Sequence, residues 1–341
     1  MKRLVGFGEM MLRLGPSGYL RFGQAKSFDC YYTGAEANVC ASLAIMGVET
    51  DYVTRFPDNA IAQAAIGELR RLNVGTCHIV FGGDRIGIFY VEKGASQRPS
   101  KVIYDRKNTA ISTSKPEDFD WKAIFEGAGY FHFTGITPAL SEGMPAVVEA
   151  ACRAAKEAGA IISCDLNYRK NLWTTEQAGK TMTKLLGYVD YLIANEEDAD
   201  KVLGIRAPGS DVIAGKLSHE GYTQVAKMLI ERFPNIKGVG ITLRQSISAS
   251  DNIWGAMFYT EGQAHFSKEY KVHIVDRVGG GDSFAAGLLY GIGNGMSAQD
   301  TIEYAAAASC LKHSIELDVN LSTVAEIRQL MAGDGSGRVQ R

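Results

Sequence analysis

The residues best suited to chemistry lie between positions 273 and 287. An apolar strand end, His273–Val275, runs through Asp276-Arg277-Val278 into Gly279-Gly280-Gly281-Asp282, and a helix follows from about Asp282. Three consecutive bare backbone units can turn their N–H groups toward one point. At a helix N-terminus they form an anion hole, with the helix dipole behind it. Asp282 stands at the mouth of that hole. The plain alternative is a glycine-rich N-cap with no catalytic duty. The small residues Ala285, Ala286 and Gly287 favour the first reading, because they let the helix pack closely while its N-terminus faces a crevice.

A carboxylate beside an anion hole suits phosphoryl transfer. The hole takes charge on the transferring group, and the carboxylate accepts the proton of an attacking hydroxyl. The helix N-terminus predicts an ionised Asp282, as a base requires.

The surrounding elements predict how these residues are held. Strand-like and helix-like segments alternate along most of the chain. Thr50–Thr54, Gly129–Thr134, Ala160–Asp165, Tyr188–Ala194 and Gly238–Leu243 read as strands. Glu142–Ala158, Thr174–Leu186, Glu196–Leu203, His219–Phe233, Ser283–Gly293, Ala298–Lys312 and Thr323–Met331 read as helices. Another helix is expected after Asp58 as its cap, with Ile61, Ala65, Leu69 and Leu72 on its apolar face. The class is therefore α/β: three layers, α/β/α, around a mainly parallel sheet, with ligands at the carboxyl ends of the strands. Residues 10–32 and 77–106 break the alternation. Their strand-like runs are Phe28–Tyr32, His78–Phe81, Ile86–Glu92 and Lys101–Tyr104. A separate small β-sheet lid and an edge extension of the main sheet both fit this pattern. Residues 1–332 then make one domain, and the Gly-rich stretch 333–341 a flexible tail.

Composition removes several classes. The chain has 341 residues, with 36 Lys and Arg against 38 Asp and Glu, a net charge of −2. No global field holds nucleic acid or an anionic membrane, so an anionic ligand needs positive charge gathered at its site. No run reaches the ~18 apolar residues of a membrane span. Glu9 and Arg13 interrupt the opening segment too early for a signal peptide, so a cytoplasmic location is expected. The six cysteines are scattered, without a C-x-x-C pair, and read as small core residues. The six histidines lack metal-ligand spacing. Gly6-Phe7-Gly8 lacks the third glycine of a dinucleotide fingerprint, and Gly179-Lys180-Thr181 and Gly215-Lys216 fail as phosphate loops. Glycine is in excess, at 38 against roughly 24 expected from average usage, which points to close backbone approaches.

Two segments together carry a resemblance. Asp276-x-x-Gly279-x-Gly281-Asp282-x-Phe284-x-x-Gly287 resembles the C-terminal signature of the ribokinase-like (PfkB) carbohydrate kinases. Thr33-Gly34-Ala35-Glu36-Ala37-Asn38 resembles their N-terminal glycine signature, which contacts the sugar. Gly280 departs from the usual alanine, and Arg277-Val278 from a Thr-containing pair. The resemblance implies a sugar kinase using ATP and Mg²⁺, with Asp282 as base and Gly279, Gly280 and Gly281 around the phosphoryl group. It implies nucleotide-side contacts from Asn167, Asn195, Thr242, Arg244, Gly279 and Gly281. Asn195-x-x-Asp198 resembles the family's N-x-x-E element, which orders Mg²⁺ through water, with Asp198 in place of the Glu. A monovalent cation and a homodimer formed through the lid stay open.

Three further segments resemble those of the family's 2-keto-3-deoxygluconate kinases: Gly8–Leu14, Asp165–Arg169 and Lys312–Asp318. That similarity implies sugar contacts from Gly34, Asn38, Tyr90, Tyr104, Arg106, Arg169 and Asp318. Arginine grips a sugar carboxylate through two parallel charge-assisted bonds. Tyr104 and Arg106 share a strand face, whereas ordinary strand packing is the plain alternative for Tyr90 and Tyr104. Leu317 stands where glycine often precedes the aspartate. Other acceptors in the same fold, fructose or a nucleoside, and a non-catalytic sugar sensor are the competing readings.

Overall fold

The computed structural model describes residues 1–207 and 218–333. The expected tail beyond 333 and the Gly215-Lys216 pair lie outside the described residues. The strands are β1 (Leu4–Phe7), β2 (Met11–Gly15), β3 (Asp29–Thr33), β4 (Thr50–Val53), β5 (Arg55–Phe56), β6 (Val80–Phe81), β7 (Gly87–Glu92), β8 (Lys101–Asp105), β9 (Tyr130–Thr134), β10 (Ile161–Asp165), β11 (Tyr191–Ala194), β12 (Gly238–Ser246), β13 (Asp251–Thr260), β14 (Gln263–Phe266) and β15 (Tyr270–His273). The helices are α1 (Ala35–Ile45), α2 (Ala60–Arg71), α3 (Trp121–Phe125), α4 (Met144–Glu157), α5 (Thr175–Leu185), α6 (Glu196–Leu203), α7 (His219–Arg232), α8 (Gly280–Gly293), α9 (Ala298–Lys312) and α10 (Val324–Met331).

The main sheet runs β14-β13-β12-β11-β10-β9-β1-β4, with β15 also paired to β13. From β4 to β12 all pairs are parallel; β13 then reverses direction against β12, β14 and β15. Sequence reading left 251–266 without a strand, although Ile253–Tyr259 is an apolar run. Helices cover both faces, over two separate cores. One includes Phe131, Val147, Leu192 and Val225; the other includes Leu43, Tyr52, Phe284 and Tyr304. This is the three-layer α/β/α arrangement. Among the described residues no helix is long and apolar enough to cross a membrane.

The irregular segments form a separate four-stranded sheet, β3-β2-β7-β8, rather than an extension of the main one. The 78–81 run is a correction: Val80–Phe81 pairs with Arg55–Phe56, outside that lid. The α2 cap is also corrected. Asn59, not Asp58, accepts from the Ala62 amide at 3.0 Å. That shift turns Ile61 outward, at 46% exposure, and buries Ala62 and Ile66 instead. Cys40, Cys152 and Cys164 are core residues as expected, whereas Cys30 and Cys77 are exposed. The small face of α8 packs as its sequence suggests: a Cβ on Gly287 would stand 2.7 Å from the Ala305 Cα of α9.

Candidate active site

The N-termini of α1 and α8 converge beneath the lid on a cleft of about 410 Å³. It opens beside the carboxyl ends of β10 and β11, at Asp165 and Ala194, and beside Thr242 midway along β12. The glycine turn lies along one wall. Gly279 caps α8 in a left-handed conformation, φ 82°, and a Cβ there would sit within the Asp318 carbonyl. At Gly280 a Cβ would meet the His313 ring at 2.7 Å, which explains why alanine is absent from this position. Nothing lies within 4 Å of the place a Gly281 Cβ would take, so that backbone is bare toward the cleft. Gly34, the α1 cap, is extended, and its missing Cβ admits the Glu9 carbonyl.

Asp282 follows in the first turn of α8. Its Oδ2 accepts a hydrogen bond from Asn38 Nδ2 at 2.7 Å. The expectation of a plainly ionised carboxylate is corrected. Burial raises its pKa to about 7; the Asn38 hydrogen bond opposes the shift, and Asp318 and Glu36 add to it. Desolvation outweighs the helix N-terminus here. The side chain is half-buried and reached through the cleft. Asn38, expected at the sugar, lines the same cleft but commits its amide to Asp282. Thr33 Oγ1 is 2.8 Å from Asn38 Oδ1 and 2.9 Å from Asp318 Oδ2.

Asp318 also lines the cleft, but its carboxylate is already held. Arg13 on β2 pairs with Asp318 and, at 2.7 Å, with Asp276; these side chains are 3%, 4% and 3% exposed. The bridge ties a lid strand to both sides of the glycine turn. Leu317 adopts φ 69°. This is the left-handed region that glycine would occupy without cost, and for leucine it stores strain of about 1–2 kcal/mol. The pairing of Asp318 with Arg13 and Thr33 holds it there.

Tyr104 and Arg106 both face the cleft, as strand alternation predicts. The guanidinium stacks over the Tyr104 ring, 5.1 Å from its centre. However, Arg106 is already paired: Nε and Nη2 donate to Glu9 Oε2 at 2.9 and 2.5 Å, and Thr109 Oγ1 donates to Glu9 Oε1 at 2.7 Å. Tyr90 is a correction. It pairs in register with Ile103, while its neighbour Phe89 pairs with Tyr104. Phe89 therefore takes the cleft face, stacking on Tyr104 with ring centres 5.8 Å apart, and Tyr90 turns to the other face against Phe28. Sequence reading missed Phe89 because register is set by pairing between distant segments.

The opposite wall is oxygen-rich. Asn195 caps α6, accepting from the Asp198 amide at 2.7 Å and donating to Asp198 Oδ2 at 3.0 Å. Asp165, missed in the sequence, accepts from the Asn167 amide at 3.1 Å. Burial pushes its pKa well up, and the charges of Asp198 and Asp282 push it further. Asn167 sits at φ 39°, where asparagine is tolerated. Carboxylate and amide oxygens crowded in this way suit a hard divalent cation such as Mg²⁺. Elsewhere, Asp51, Cys77 and His78 bring ligand atoms within 4.8 Å of one another, a grouping that spacing did not reveal. The Asp51 carboxylate there is paired with Arg3.

Thr242 and Arg244 line the cleft from one face of β12, joined by Trp254 and Arg277, which sequence reading did not assign. Arg277 donates to the Ala249 carbonyl at 2.8 Å; burial and the Arg244 charge lower its pKa. The inner cleft carries six acidic side chains, Glu9, Glu36, Asp165, Asp198, Asp282 and Asp318, against four arginines. Arg169, half of the expected carboxylate grip, is exposed and lines both this cleft and an adjoining one, where Lys107, Lys170 and Lys201 add positive charge farther out.

The model of the pfkB family carbohydrate kinases matches residues 1–316, and the chain belongs to that family. It is a sugar kinase. It is similar to the crystal structure of 2-dehydro-3-deoxygluconokinase from Thermotoga maritima, at 52% identity and a TM-score of 0.93, covering 97% of this chain and 98% of that one. It is 29% identical over 335 residues to the 2-dehydro-3-deoxygalactonokinase of Haloferax volcanii, covering 98% of each. It is also 27% identical to the 2-dehydro-3-deoxygluconokinase of Bacillus subtilis, over 90% of this chain and 88% of that protein.

Proposed function

We propose that this kinase transfers the γ-phosphoryl group of ATP to the C6 hydroxyl of 2-keto-3-deoxygluconate. The observation that carries the reading is Asp282: a carboxyl whose pKa burial raises to about 7, at the N-terminus of α8 and beside the bare backbone of Gly281. Asp282 takes the hydroxyl proton as the oxygen bonds to phosphorus and the bond to ADP breaks. The N–H groups of Gly279–Asp282 and the α8 dipole take the charge on the phosphoryl oxygens. Asn195 and Asp198, with Asp165 and Asn167 beside them, would hold Mg²⁺ through water, and the bound ion neutralises phosphate charge. Thr242, Arg244 and Arg277 border the nucleotide. Gly34, Phe89, Tyr104, Arg106 and Arg169 surround the sugar acid, and the lid excludes water that would otherwise take the phosphate.

The Glu9–Arg106 pair favours a second reading, a neutral sugar, because it occupies the arginine expected at the carboxylate. A panel separates the two. It contains 2-keto-3-deoxygluconate, its galactonate epimer, fructose and ribose, with the phosphorylated carbon located by NMR. A kcat/KM for a keto-deoxy acid about 100-fold above the neutral sugars is expected. Equal or better turnover of a neutral sugar overturns the acid reading, and a wild-type protein inert on the whole panel revives the sensor.

A further inference from the structure

Lys312, the last residue of α9, is fully buried. Its Nζ donates to two main-chain carbonyls, Asp276 at 3.1 Å and Ile315 at 3.3 Å. These carbonyls belong to the two segments behind the glycine turn. Asp276 opens the turn, and Ile315 precedes Asp318, whose carbonyl Gly279 touches. The His313 carbonyl joins the same segments by accepting from the Val275 and Asp276 amides at 2.8 and 3.4 Å. Burial lowers the Lys312 pKa, and the charges of Asp276 and Asp318 oppose that shift.

A buried ammonium costs several kcal/mol unless its hydrogen bonds and neighbouring charges compensate. Carbonyl oxygens turned onto one cation are the arrangement that holds a desolvated alkali ion in proteins. The local charge is already balanced, with Arg13, Lys93 and Lys312 set against Asp276, Asp318 and Asp282. A further cation here would meet these like charges in a desolvated space.

We propose that the Lys312 ammonium is the resident cation of the glycine turn, gathering the carbonyls that a monovalent ion would otherwise hold, so that turnover needs no added K⁺. Lys312 touches no reacting atom in this account; it is a positioning residue. The proposal rests on the reading of Gly279–Asp282 as the phosphoryl site, and its test also has a readout that does not depend on turnover.

The wild-type enzyme is assayed on whichever sugar it phosphorylates, in lithium, sodium, potassium, caesium and tetramethylammonium chlorides at one ionic strength. The kcat is expected to stay within about threefold across the series; a larger stimulation by K⁺ overturns the proposal. Melting temperatures are taken in the same salts. Lys312→Ala should melt higher in K⁺ or methylammonium than in tetramethylammonium, whereas the wild type should not respond. The same variant should lose at least about tenfold in kcat and regain part of it with methylammonium. A folded Lys312→Ala with unchanged kcat, or with a loss and a melting temperature that no cation shifts, contradicts the proposal. If that variant does not fold, the wild-type salt series decides alone. A failure of the phosphoryl-site reading would instead appear as full activity in Asp282→Asn, leaving the melting data intact.

Discussion

The Asn38 amide donates to the Asp282 carboxylate at 2.7 Å and so joins the N-terminal turns of α1 and α8 at one oxygen. The donor is neutral. It stabilises the ionised form of Asp282 without adding a charge. Burial, Asp318 and Glu36 act in the other direction, and the balance puts the carboxyl at about 7. A base near the working pH combines adequate ionisation with adequate proton affinity.

The kcat/KM should therefore fall on the acid side as Asp282 takes up a proton near pH 7. Asn38→Leu removes the donor, raises the pKa, and should move the acid limb to higher pH. Stability carries the matching sign. A folded-state pKa above the unfolded value contributes stability that is fully present below about pH 4 and is lost as pH rises through about 7. Asp282→Asn should thus gain melting temperature over the wild type at pH 8, with the gain shrinking toward pH 5. An acid limb unmoved by Asn38→Leu contradicts this account.

Glu9 is paired with Arg106 and, on the proposed acid reading, competes there with a sugar carboxylate. Glu9→Gln lowers the charge facing the guanidinium and should reduce KM for the keto-deoxy acids by about three- to tenfold, leaving neutral sugars unchanged. Steady-state kinetics on both classes check this. Equal changes in both would show that Arg106 does not read the acid.

On the opposite wall, Asp198→Asn keeps the shape of the α6 cap and removes one carboxylate from the oxygen cluster. The Mg²⁺ concentration giving half-maximal rate should rise by about tenfold, with sugar affinity unchanged. An unaltered Mg²⁺ titration would remove Asp198 from the metal's surroundings.

The glycine turn was legible in the sequence because its chemistry is local: Gly279 through Asp282 are consecutive, and their helix follows at once. The parallel sheet was legible through alternation, and the small face of α8 through Gly287. What escaped depends on distant segments meeting. Glu9 and Arg106 are 97 positions apart, and only the packing of the lid brings them together. The exchange of Tyr90 for Phe89 follows from a register that a one-residue slip would invert. Arg13 and Asp318 are 305 positions apart, so a residue expected at the sugar proved to be bound already. Trp254 stands on β13, whose apolar run was not assigned, and Asp165 was quoted in a motif without a role.

Asp282→Asn separates a base from a bystander. Turnover of 2-keto-3-deoxygluconate is measured beside ATP affinity by calorimetry. With Asp282 as the base, kcat should fall by about 10²–10⁴ while ATP affinity stays within a few-fold of wild type. A variant that keeps wild-type kcat would contradict that role.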